Sequence, residues 1–475
     1  MEAGLNTETW RQTVARLERI PVWALPYQFI LVIGLGFLFT FYDIFDSNVS
    51  FIQTCASIIP GFKSEMAGQY LGMPILMNLL GYVVGTLVLS PVSDKIGRRN
   101  MLLITMLITG LGSLCTAFTT SYWAFVVFRG ITGIGIGADL AVVNTYIAEV
   151  APTKTRAKYT ALIFIFSALG ALLAVWIGLW LTTPAAPFPA GLPLALGASL
   201  PYGWRIMYWI GAVLALIAIL MRIRLPESPR WLLAVDRGEE AERVVAEMEA
   251  TAARHAPLPQ PASVSVHWVP ATANPYGDIL SNGTYMRRVL LLFCVWLFSY
   301  VTVYGFSGGM TSLLVGLHYD EGEAGMITAV GVFGMVLSAV FAYWFGERLE
   351  RKVWLILSAL TTILGGILIG LAGSNLTLAM VGAVILFLGE NFWVPIAYAW
   401  TSENFPARAR TSGFALVDGV GHIGAGIGIW AIAPLVAPLG VLKGFLFIGG
   451  FLFVAAVIAL FGARTKDRTL EEISP

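Results

Sequence analysis

Long apolar runs recur along the chain from residue 27 to residue 462, separated by short polar segments. Each run has about 20 or more mostly apolar residues, the length a helix needs to cross a bilayer core of about 30 Å. The alternating pattern of a membrane β-barrel is absent, and glycines lie inside the long runs, as membrane helices allow. The predicted spans are 27–48, 67–91, 100–121, 123–149, 158–183, 204–223, 287–313, 322–346, 352–373, 376–402, 411–437 and 440–462.

Composition excludes an ordinary water-soluble domain. The chain has 475 residues, of which 57% are hydrophobic and 12% charged, whereas charged residues make up about 25% of soluble domains. The first apolar run is too long for a removable signal and lacks a small-residue cleavage site. Cys55, Cys115 and Cys294 fall singly in or beside spans, without metal-ligand spacing. We therefore interpret them as small packing residues and expect neither a metal nor a cofactor.

Lysine and arginine are distributed very unevenly between alternate loops. If the N-terminus lies inside, the inner loops receive nearly all of them, and the outer loops hold only Lys63 and Lys443. This asymmetry matches the positive-inside rule, and an odd number of spans would scramble it. The pattern predicts a multi-pass cell-membrane protein with an even number of spans and both termini in the cytoplasm.

One hydrophilic stretch, residues 224–286, divides six spans from six spans. It contains a charged amphipathic segment and a connector rich in proline and alanine, which is typical of a cytoplasmic linker. The expected organisation is a cytoplasmic N-terminal segment (1–26), an N-terminal bundle (27–223), the linker (224–286), a C-terminal bundle (287–462) and a cytoplasmic tail (463–475).

The two halves repeat the same polar signals at nearly the same offset. The hexapeptide DKIGRR begins at Asp94, after the second span, and ERLERK begins at Glu347, after the eighth. Internal duplication of six-helix units is how many secondary carriers are built. The repeat predicts an all-α integral membrane protein with twelve transmembrane helices in two pseudo-symmetric six-helix bundles. A second matching pair ends the fourth and tenth spans: Glu149, Pro152 and Arg156, then Glu403, Pro406 and Arg410.

These motifs resemble those of the major facilitator superfamily. DKIGRR at 94–99 and RGITGIGIG at 129–137 are similar to its second-loop and fourth-helix signatures. PESPR at 226–230 and TKDRTLEE at 465–472 are similar to marks of its sugar porters. The resemblance implies secondary transport by alternating access, not enzymatic activity, with a small-molecule substrate and protons as partners.

Two features separate this chain from typical sugar porters. The spans 158–183 and 287–313 contain no glutamine, although sugar porters usually bind sugar hydroxyls through glutamines there. The start of the chain, with LERIP at 17–21 and YDIFD at 42–46, is more similar to metabolite:proton symporters, including nicotinate- and aromatic-acid-type carriers. We therefore expect proton-coupled symport of a small organic anion, with a sugar or polyol carrier as the alternative.

Other classes fit the sequence less well. A membrane enzyme would need a nucleophile or metal constellation, a transporter-like sensor would need a larger cytoplasmic domain, and a channel would need a filter-like loop. We expect a monomer in the lipid bilayer, with no nucleic-acid partner.

Ionisable residues inside a bilayer cost at least about 2.5–3.5 kcal/mol each, so they mark sites that are paired or wet. Asp43 and Asp46 lie three residues apart in the first span, and Asp139 lies midway through the fourth. The resemblance implies that Asp43 pairs with Arg129, as in proton-coupled relatives; a static ion pair is the alternative. The predicted proton-coupling residues are Asp43, Asp46, Arg129 and Asp139.

Polar and aromatic residues at similar depth are the candidates for substrate contact. Asp418 and His422 are four residues apart, which fits either a proton relay or a local hydrogen bond near the headgroups. The predicted substrate-binding residues are Arg129, Asn144, Tyr300, Tyr304, Glu390, Asn391, Trp393 and His422.

Acidic and basic residues at the cytoplasmic helix ends recur in both halves. The resemblance implies that they pair across the bundles when the cytoplasmic side is closed and separate when it opens. The alternative is that the basic residues only set the topology. The predicted gating residues are Asp94, Arg98, Glu149, Arg156, Glu347, Arg351, Glu403 and Arg410.

Overall fold

The computed structural model describes residues 2–21, 23–25, 27–62, 67–182, 186–187, 195–196, 200–261, 274–307, 310, 313–314, 319, 321–427 and 437–474. Nearly all of these residues are helical. The described residues also include one short antiparallel pair of strands, β1 (Ala186–Pro187) and β2 (Ala195–Leu196). Residues 262–273 of the predicted linker, residues 428–436 of the predicted eleventh span, and Lys63 lie outside the described residues.

The first half and the linker contain ten helices within the described residues. An N-terminal helix precedes six long apolar helices, and three shorter helices follow. Their bounds are α1 Glu2–Glu18, α2 Tyr27–Ile58, α3 Ala67–Ile96, α4 Arg98–Ala117, α5 Tyr122–Val150, α6 Arg156–Thr182, α7 Gly203–Arg222, α8 Pro229–Ala234, α9 Gly238–Ala252 and α10 Pro275–Ser281.

The second half repeats this plan with more interruptions. A turn at Val332 divides the eighth span, and Pro395 follows a break in the tenth span at Trp393. The eleventh is helical from Arg410, passes through a π-helical segment at Ala415–Gly419, and is described to Ile427. The helices are α11 Gly283–Ser307, α12 Glu321–Gly331, α13 Phe333–Phe345, α14 Arg351–Ala372, α15 Leu376–Phe392, α16 Val394–Glu403, α17 Arg410–Phe414, α18 Ile423–Ile427, α19 Gly440–Ala459 and α20 Leu470–Ile473.

Within the described part of the chain, eleven helical segments are long and apolar enough to cross a membrane. They match eleven of the twelve predicted spans, and the remaining one, 411–437, contains the π-helical segment and the residues outside the description. The fold is thus an all-α membrane fold with the predicted order of spans.

The two halves share one packing pattern. In the first, α4 packs between α5 and α7, and α7 also packs on α2. In the second, α14 packs between α15 and α19, and α19 also packs on α11. The halves meet where α6 lies against α13 and α16, and where α3 lies against α17 and the π-helical segment. This repetition is the pseudo-symmetry that the duplicated motifs predicted.

Glycines allow the closest helix contact in the first half. A Cβ on Gly133 of α5 would lie 2.0 Å from the carbonyl oxygen of Asn78, and one on Gly85 of α3 would lie 2.0 Å from that of Ile134. Small residues let membrane helices approach to backbone contact. The glycine run of the fourth span therefore serves packing between α3 and α5.

Both termini and the linker lie at one end of the molecule, which we call the linker face and define by α1, α8, α9 and α20. Arg16 of α1 pairs with Glu249 of α9 at 2.7 Å, and Arg230 of α8 pairs with Glu471 of α20 at 2.9 Å. Burial disfavours the charge on Glu471, but the neighbouring arginines outweigh this effect and lower its pKa.

Candidate functional site

A cavity of about 110 Å³ lies between the two halves. Its wall is formed by α2, α3, α5 and α6 of the first half and by α11, α13, α15 and α16 of the second, with His422 beside them. Most of the wall is apolar or aromatic. Among the described lining residues, Arg129 carries the only permanent charge, and the uncharged polar groups are Asn78, Ser167, Ser307, Ser338, Asn391 and three tyrosines, Tyr300, Tyr304 and Tyr398.

Arg129 is held at the cavity by two carboxylates of α2. Its Nη1 lies 3.1 Å from Asp43 Oδ2 and 3.5 Å from Asp46 Oδ1, and its Nη2 donates to the Asp43 carbonyl oxygen at 2.8 Å. All three side chains are almost fully buried. Since one guanidinium faces two carboxylates, the cluster carries more acidic than basic groups. The pairing of Asp43 with Arg129 that the resemblance implied is present in the structure.

Five of the eight predicted substrate-binding residues line the cavity, namely Arg129, Tyr300, Tyr304, Asn391 and His422. Three, Asn144, Trp393 and Glu390, do not line it. The Asn144 amide turns back onto its own helix and donates to the Leu140 carbonyl at 2.8 Å. Trp393 packs on Trp296 with ring centroids 5.0 Å apart.

Glu390, the third of these, lies one layer behind the wall. Its Oε1 accepts hydrogen bonds from Ser307 Oγ at 2.7 Å and Asn391 Nδ2 at 3.2 Å, and both donors line the cavity. Glu390 therefore orients two polar groups of the wall instead of facing the cavity itself.

Asp139 also differs from the prediction, because it is not on the cavity wall. It forms a buried ion pair with Arg222, with Nη1 to Oδ1 at 2.5 Å and Nη2 to Oδ2 at 3.3 Å, and Thr105 donates a further bond at 2.9 Å. A Cβ on Gly36 would lie 2.0 Å from Arg222 Nη2, so this glycine makes room for the guanidinium. Asp139 is accordingly a partner in a packed internal ion pair, and its part in proton handling stays a prediction.

A second carboxylate, Asp418, lies where the two halves meet. Tyr82 of α3 donates to Asp418 Oδ2 at 2.8 Å, and Tyr300 of α11 donates to Oδ1. The Tyr398 hydroxyl is 2.8 Å from that of Tyr300. The His422 ring stacks on Tyr82 with centroids 3.7 Å apart, and its Nδ1 lies 2.8 Å from the Asp418 carbonyl oxygen. We call these five residues the tyrosine–aspartate cluster.

At the linker face, Arg98 and Glu149 anchor a buried network in the first half. Arg98 lies 2.8 Å from Asp94 and 3.0 Å from Glu149. The network crosses to the second half, because Arg410 lies 3.2 Å from Glu149 and the Ser412 hydroxyl donates to Asp94 at 2.6 Å. Contacts between the halves thus close the linker face below the cavity.

The turn between α3 and α4 depends on a residue of the linker. Gly97 has φ +99°, and a Cβ there would lie 2.2 Å from Glu227 Oε2. Glu227 in turn accepts the backbone N–H of Arg98 at 2.9 Å. Burial raises the pKa of Glu227, while these backbone donors and the Arg98 charge oppose the rise. The PESPR segment is in this way fixed against the DKIGRR turn.

The second half repeats the network, but only in part. Arg351 lies 2.5 Å from Glu347 and 3.3 Å from Glu403, as Arg98 does with its two acids. The cross-half contacts differ in detail: the Lys158 backbone N–H donates to Glu347 at 3.2 Å, as that of Ser412 does to Asp94, and Arg156 lies 3.7 Å from Glu18 of the N-terminal segment. Arg230 also pairs with Glu18. All eight predicted gating residues lie at the linker face, with unequal partners in the two halves.

Several residues with buried polar contacts were not predicted from the sequence. Arg222 reads as one more basic residue at a cytoplasmic helix end, although it points inward to Asp139. Tyr82 and Tyr398 have no charge or motif to mark them. Glu18 had a visible signal, since it lies in the LERIP segment at 17–21.

Together, two repeated six-helix halves, a central cavity and a closed ionic network at one end define the class of a secondary membrane transporter. A family model described as "Sugar (and other) transporter" matches residues 29–475. The chain belongs to this family, within the major facilitator superfamily.

Its relatives include transporters of small aromatic acids. The chain is 27% identical to the niacin transporter NiaP of Acinetobacter baylyi over 97% of its length and 99% of the relative. It is 28% identical to the 4-hydroxybenzoate transporter PcaK of Pseudomonas aeruginosa over 86% of each chain. Among solved structures, the proton:xylose symporter XylE has a TM-score of 0.75 at 21% identity, covering 94% of this chain and 98% of that one. This structural likeness shows the fold.

Proposed function

We propose that the chain is a proton-coupled symporter of a small organic anion, with an aromatic or largely apolar monocarboxylate as its substrate. The observation that carries this proposal is the wall of the central cavity. Among its described residues, a single permanent charge, Arg129, lies among mostly apolar and aromatic groups. A planar carboxylate matches the guanidinium fork, and an apolar ring matches the rest of the wall.

The proton can bind to the aspartates that hold Arg129. Arg129 is shared between Asp43 and Asp46, at 3.1 Å and 3.5 Å. A substrate carboxylate that takes one of the guanidinium's donors leaves an aspartate without its partner in a buried site, where an isolated charge is costly. Proton binding removes that charge. Anion and proton then occupy the site together, which is the requirement for symport.

The relatives support this substrate class, because niacin and 4-hydroxybenzoate are each small aromatic rings with one carboxylate. The alternative, a sugar or polyol carrier, is favoured by the family description and by the fold shared with XylE. Sugars are bound through many hydrogen bonds, however, and the described wall has no glutamine, while its two amides and six hydroxyls lie among a larger number of apolar groups. The anion is therefore the better match.

We further propose that the linker face is cytoplasmic and acts as the gate. Glu149 contacts Arg98 of its own half and Arg410 of the other, so it holds the halves together when that face is closed. Removal of one partner of a buried ion pair destabilises a protein by about 3–5 kcal/mol, because the other charge is left buried and uncompensated. Separation of Arg410 from Glu149 would open the cavity to the cytoplasm. We expect the working unit to be a monomer.

The test is uptake into proteoliposomes under an imposed inward pH gradient. Radiolabelled nicotinate, benzoate, glucose and xylose are compared in parallel, with protein-free liposomes as the blank for passive entry. The proposal predicts gradient-dependent accumulation of an aromatic acid and none of either sugar. Sugar accumulation without uptake of either acid would establish the alternative.

Arg129→Gln tests the recognition step directly. Loss of one partner of a buried charge pair costs about 2–5 kcal/mol, which weakens anion binding about 30- to 4,000-fold. The matched control is Arg205→Gln, because Arg205 donates to the Ala117 and Thr119 carbonyls away from the cavity. We expect the control to transport like the wild type; equal uptake by Arg129→Gln would remove Arg129 from the binding site.

A further inference from the structure

The tyrosine–aspartate cluster is a buried acid that joins the two halves. Asp418 lies in the π-helical segment of the second half, and its Oδ2 accepts the Tyr82 hydroxyl of the first half at 2.8 Å. Both side chains are buried. The same carboxylate also accepts the Tyr300 hydroxyl, so it bridges α3 and α11. This contact lies between the cavity wall and the linker-face network.

No lysine or arginine among the described residues lies within ion-pair distance of Asp418. The elements packed around it present Tyr82, Tyr300, Tyr304 and Tyr398, all neutral donors or acceptors, and His422. His422 Nδ1 is 3.9 Å from Asp418 Oδ2 but 2.8 Å from the Asp418 carbonyl oxygen, to which it donates. The carboxylate is thus held by hydroxyl hydrogen bonds, and not by a fixed positive charge.

The cluster is in reach of protons from the cavity. Tyr300 and His422 both line the cavity, and the Tyr300 hydroxyl bonds directly to the carboxylate. A proton from cavity water passes to the Tyr300 oxygen as that hydroxyl gives its own proton to Asp418. The acid can therefore be charged and discharged without exposure of Asp418 itself.

Protonation changes the bond between the halves. An ionised carboxylate accepts several hydrogen bonds, and such charge-assisted bonds are about twice as strong as neutral ones. Once an O–H forms on Asp418, the Tyr82 hydroxyl keeps only a weaker, neutral acceptor. The contact between α3 and the π-helical segment is then loosened. Gly419 packs on the Thr86 side chain in the same contact.

We propose that Asp418 is a second proton-binding site, and that its protonation releases α3 from the second half and permits the linker face to open. This proposal rests on the proposed function for its place in a transport cycle. It assigns a proton to a carboxylate distinct from Asp43 and gives that proton a mechanical effect. A proton arriving through the cavity would loosen the closed end before the substrate leaves.

The test measures opening of the linker face without any substrate. Spin labels are placed at Lys95→Cys and Arg348→Cys, two exposed positions on the linker face in opposite halves, after replacement of Cys55, Cys115 and Cys294. Distance distributions in nanodiscs are recorded from pH 8 to pH 5. We expect a longer-distance population to grow as the pH falls, and Asp418→Asn to show that population at every pH.

Tyr82→Phe keeps the ring on His422 but removes the cross-half hydroxyl, so it should populate the long distance at pH 8. Tyr319→Phe is the matched control, because it removes a hydroxyl that donates to the Gly373 carbonyl within the second half and leaves every hydrogen bond to Asp418 in place. The proposal is overturned if Asp418→Asn and Tyr82→Phe both keep the wild-type pH response. It is also overturned if the response persists in Asp418→Asn but is lost in His422→Gln, since the proton then resides on the histidine.

The outcome is independent of substrate identity. Asp43→Asn should keep the pH-dependent distance change while losing gradient-driven accumulation. If the distance change depends on Asp418 although no organic acid is accumulated, the proposed function fails and the second proton site stands. If an acid is accumulated but the distance change does not depend on Asp418, the second proton site fails and the proposed function stands.

Discussion

Removal of the Asp139 charge tests whether this residue has a structural or a coupling role. In Asp139→Asn, the Arg222 guanidinium remains fully buried and keeps only the neutral amide and the Leu102 carbonyl, at 3.0 Å, as acceptors. Breaking a buried ion pair in this way costs about 3–5 kcal/mol. Each half is comparable to a domain of 150–250 residues, for which 1 kcal/mol shifts Tm by about 2–4 °C. We expect Tm to fall by about 6–20 °C.

The measurement is thermal unfolding in detergent, followed by intrinsic tryptophan fluorescence. Asp278→Asn is the matched control, because Asp278 forms an ion pair with Arg408 at 2.9 Å and is partly exposed. Exposed pairs contribute about 0–1 kcal/mol, so its Tm should change little. Asp139→Asn combined with Arg222→Gln should recover much of the lost stability, since no uncompensated charge remains. An unchanged Tm with loss of gradient-driven uptake would refute this reasoning and return Asp139 to the coupling residues.

Three further predictions follow from the linker face and the helix packing. Glu149→Gln removes the charge that joins the halves. A cysteine introduced in the cavity should then react faster with a thiol reagent from the linker side, and unchanged labelling would contradict the proposed gate. The lowered pKa of Glu471 stabilises the fold at neutral pH, and this contribution is lost as pH falls through that lowered value. Glu471→Gln should therefore lower Tm at pH 7 and lower it progressively less as the pH falls below the ordinary glutamate range. Gly85→Leu should prevent stable folding, seen as aggregation in size-exclusion chromatography, whereas Gly450→Leu, whose Cβ meets no neighbour, should not.

The architecture could be predicted from the sequence because hydrocarbon leaves few choices. Long apolar runs must form helices that satisfy their own backbone hydrogen bonds. The repeated hexapeptides at Asp94 and Glu347 then predicted two related halves, and the observed pairs Arg98–Glu149 and Arg351–Glu403 occupy matching places in them. The π-helical segment of the eleventh span was not predicted, because it has no clear sequence signal.

Tertiary partners account for what the sequence could not predict. Asp139 looked functional because a carboxylate in a membrane helix is costly unless it is paired or hydrated. Its partner is Arg222, whose guanidinium lies in the space left by Gly36. The spacing of Asp418 and His422 predicted a local contact, and the tyrosines that hold Asp418 come from three other helices. Periodicity places residues on a helix but does not select which face meets the cavity, as Trp393 shows.

The different partners of Arg156 and Arg410 at the linker face also depend on tertiary contacts. Arg156 and Arg410 occupy matching places in the repeat, yet Arg410 crosses to Glu149 whereas Arg156 lies 3.7 Å from Glu18. The N-terminal segment is present once, so it can pair with only one of the two arginines. Duplication predicts shared positions, while segments outside the repeat decide the partners.

The most direct measurement of the central claim is proton entry that accompanies substrate entry. Proteoliposomes are loaded with a pH-sensitive dye, and nicotinate is added outside at equal internal and external pH. We expect internal acidification above the protein-free rate in the wild type. Asp43→Asn should show none, although that variant still exchanges labelled nicotinate for unlabelled. Transport of nicotinate by the wild type without any acidification beyond that of empty liposomes would contradict proton coupling through the Asp43–Arg129 pair.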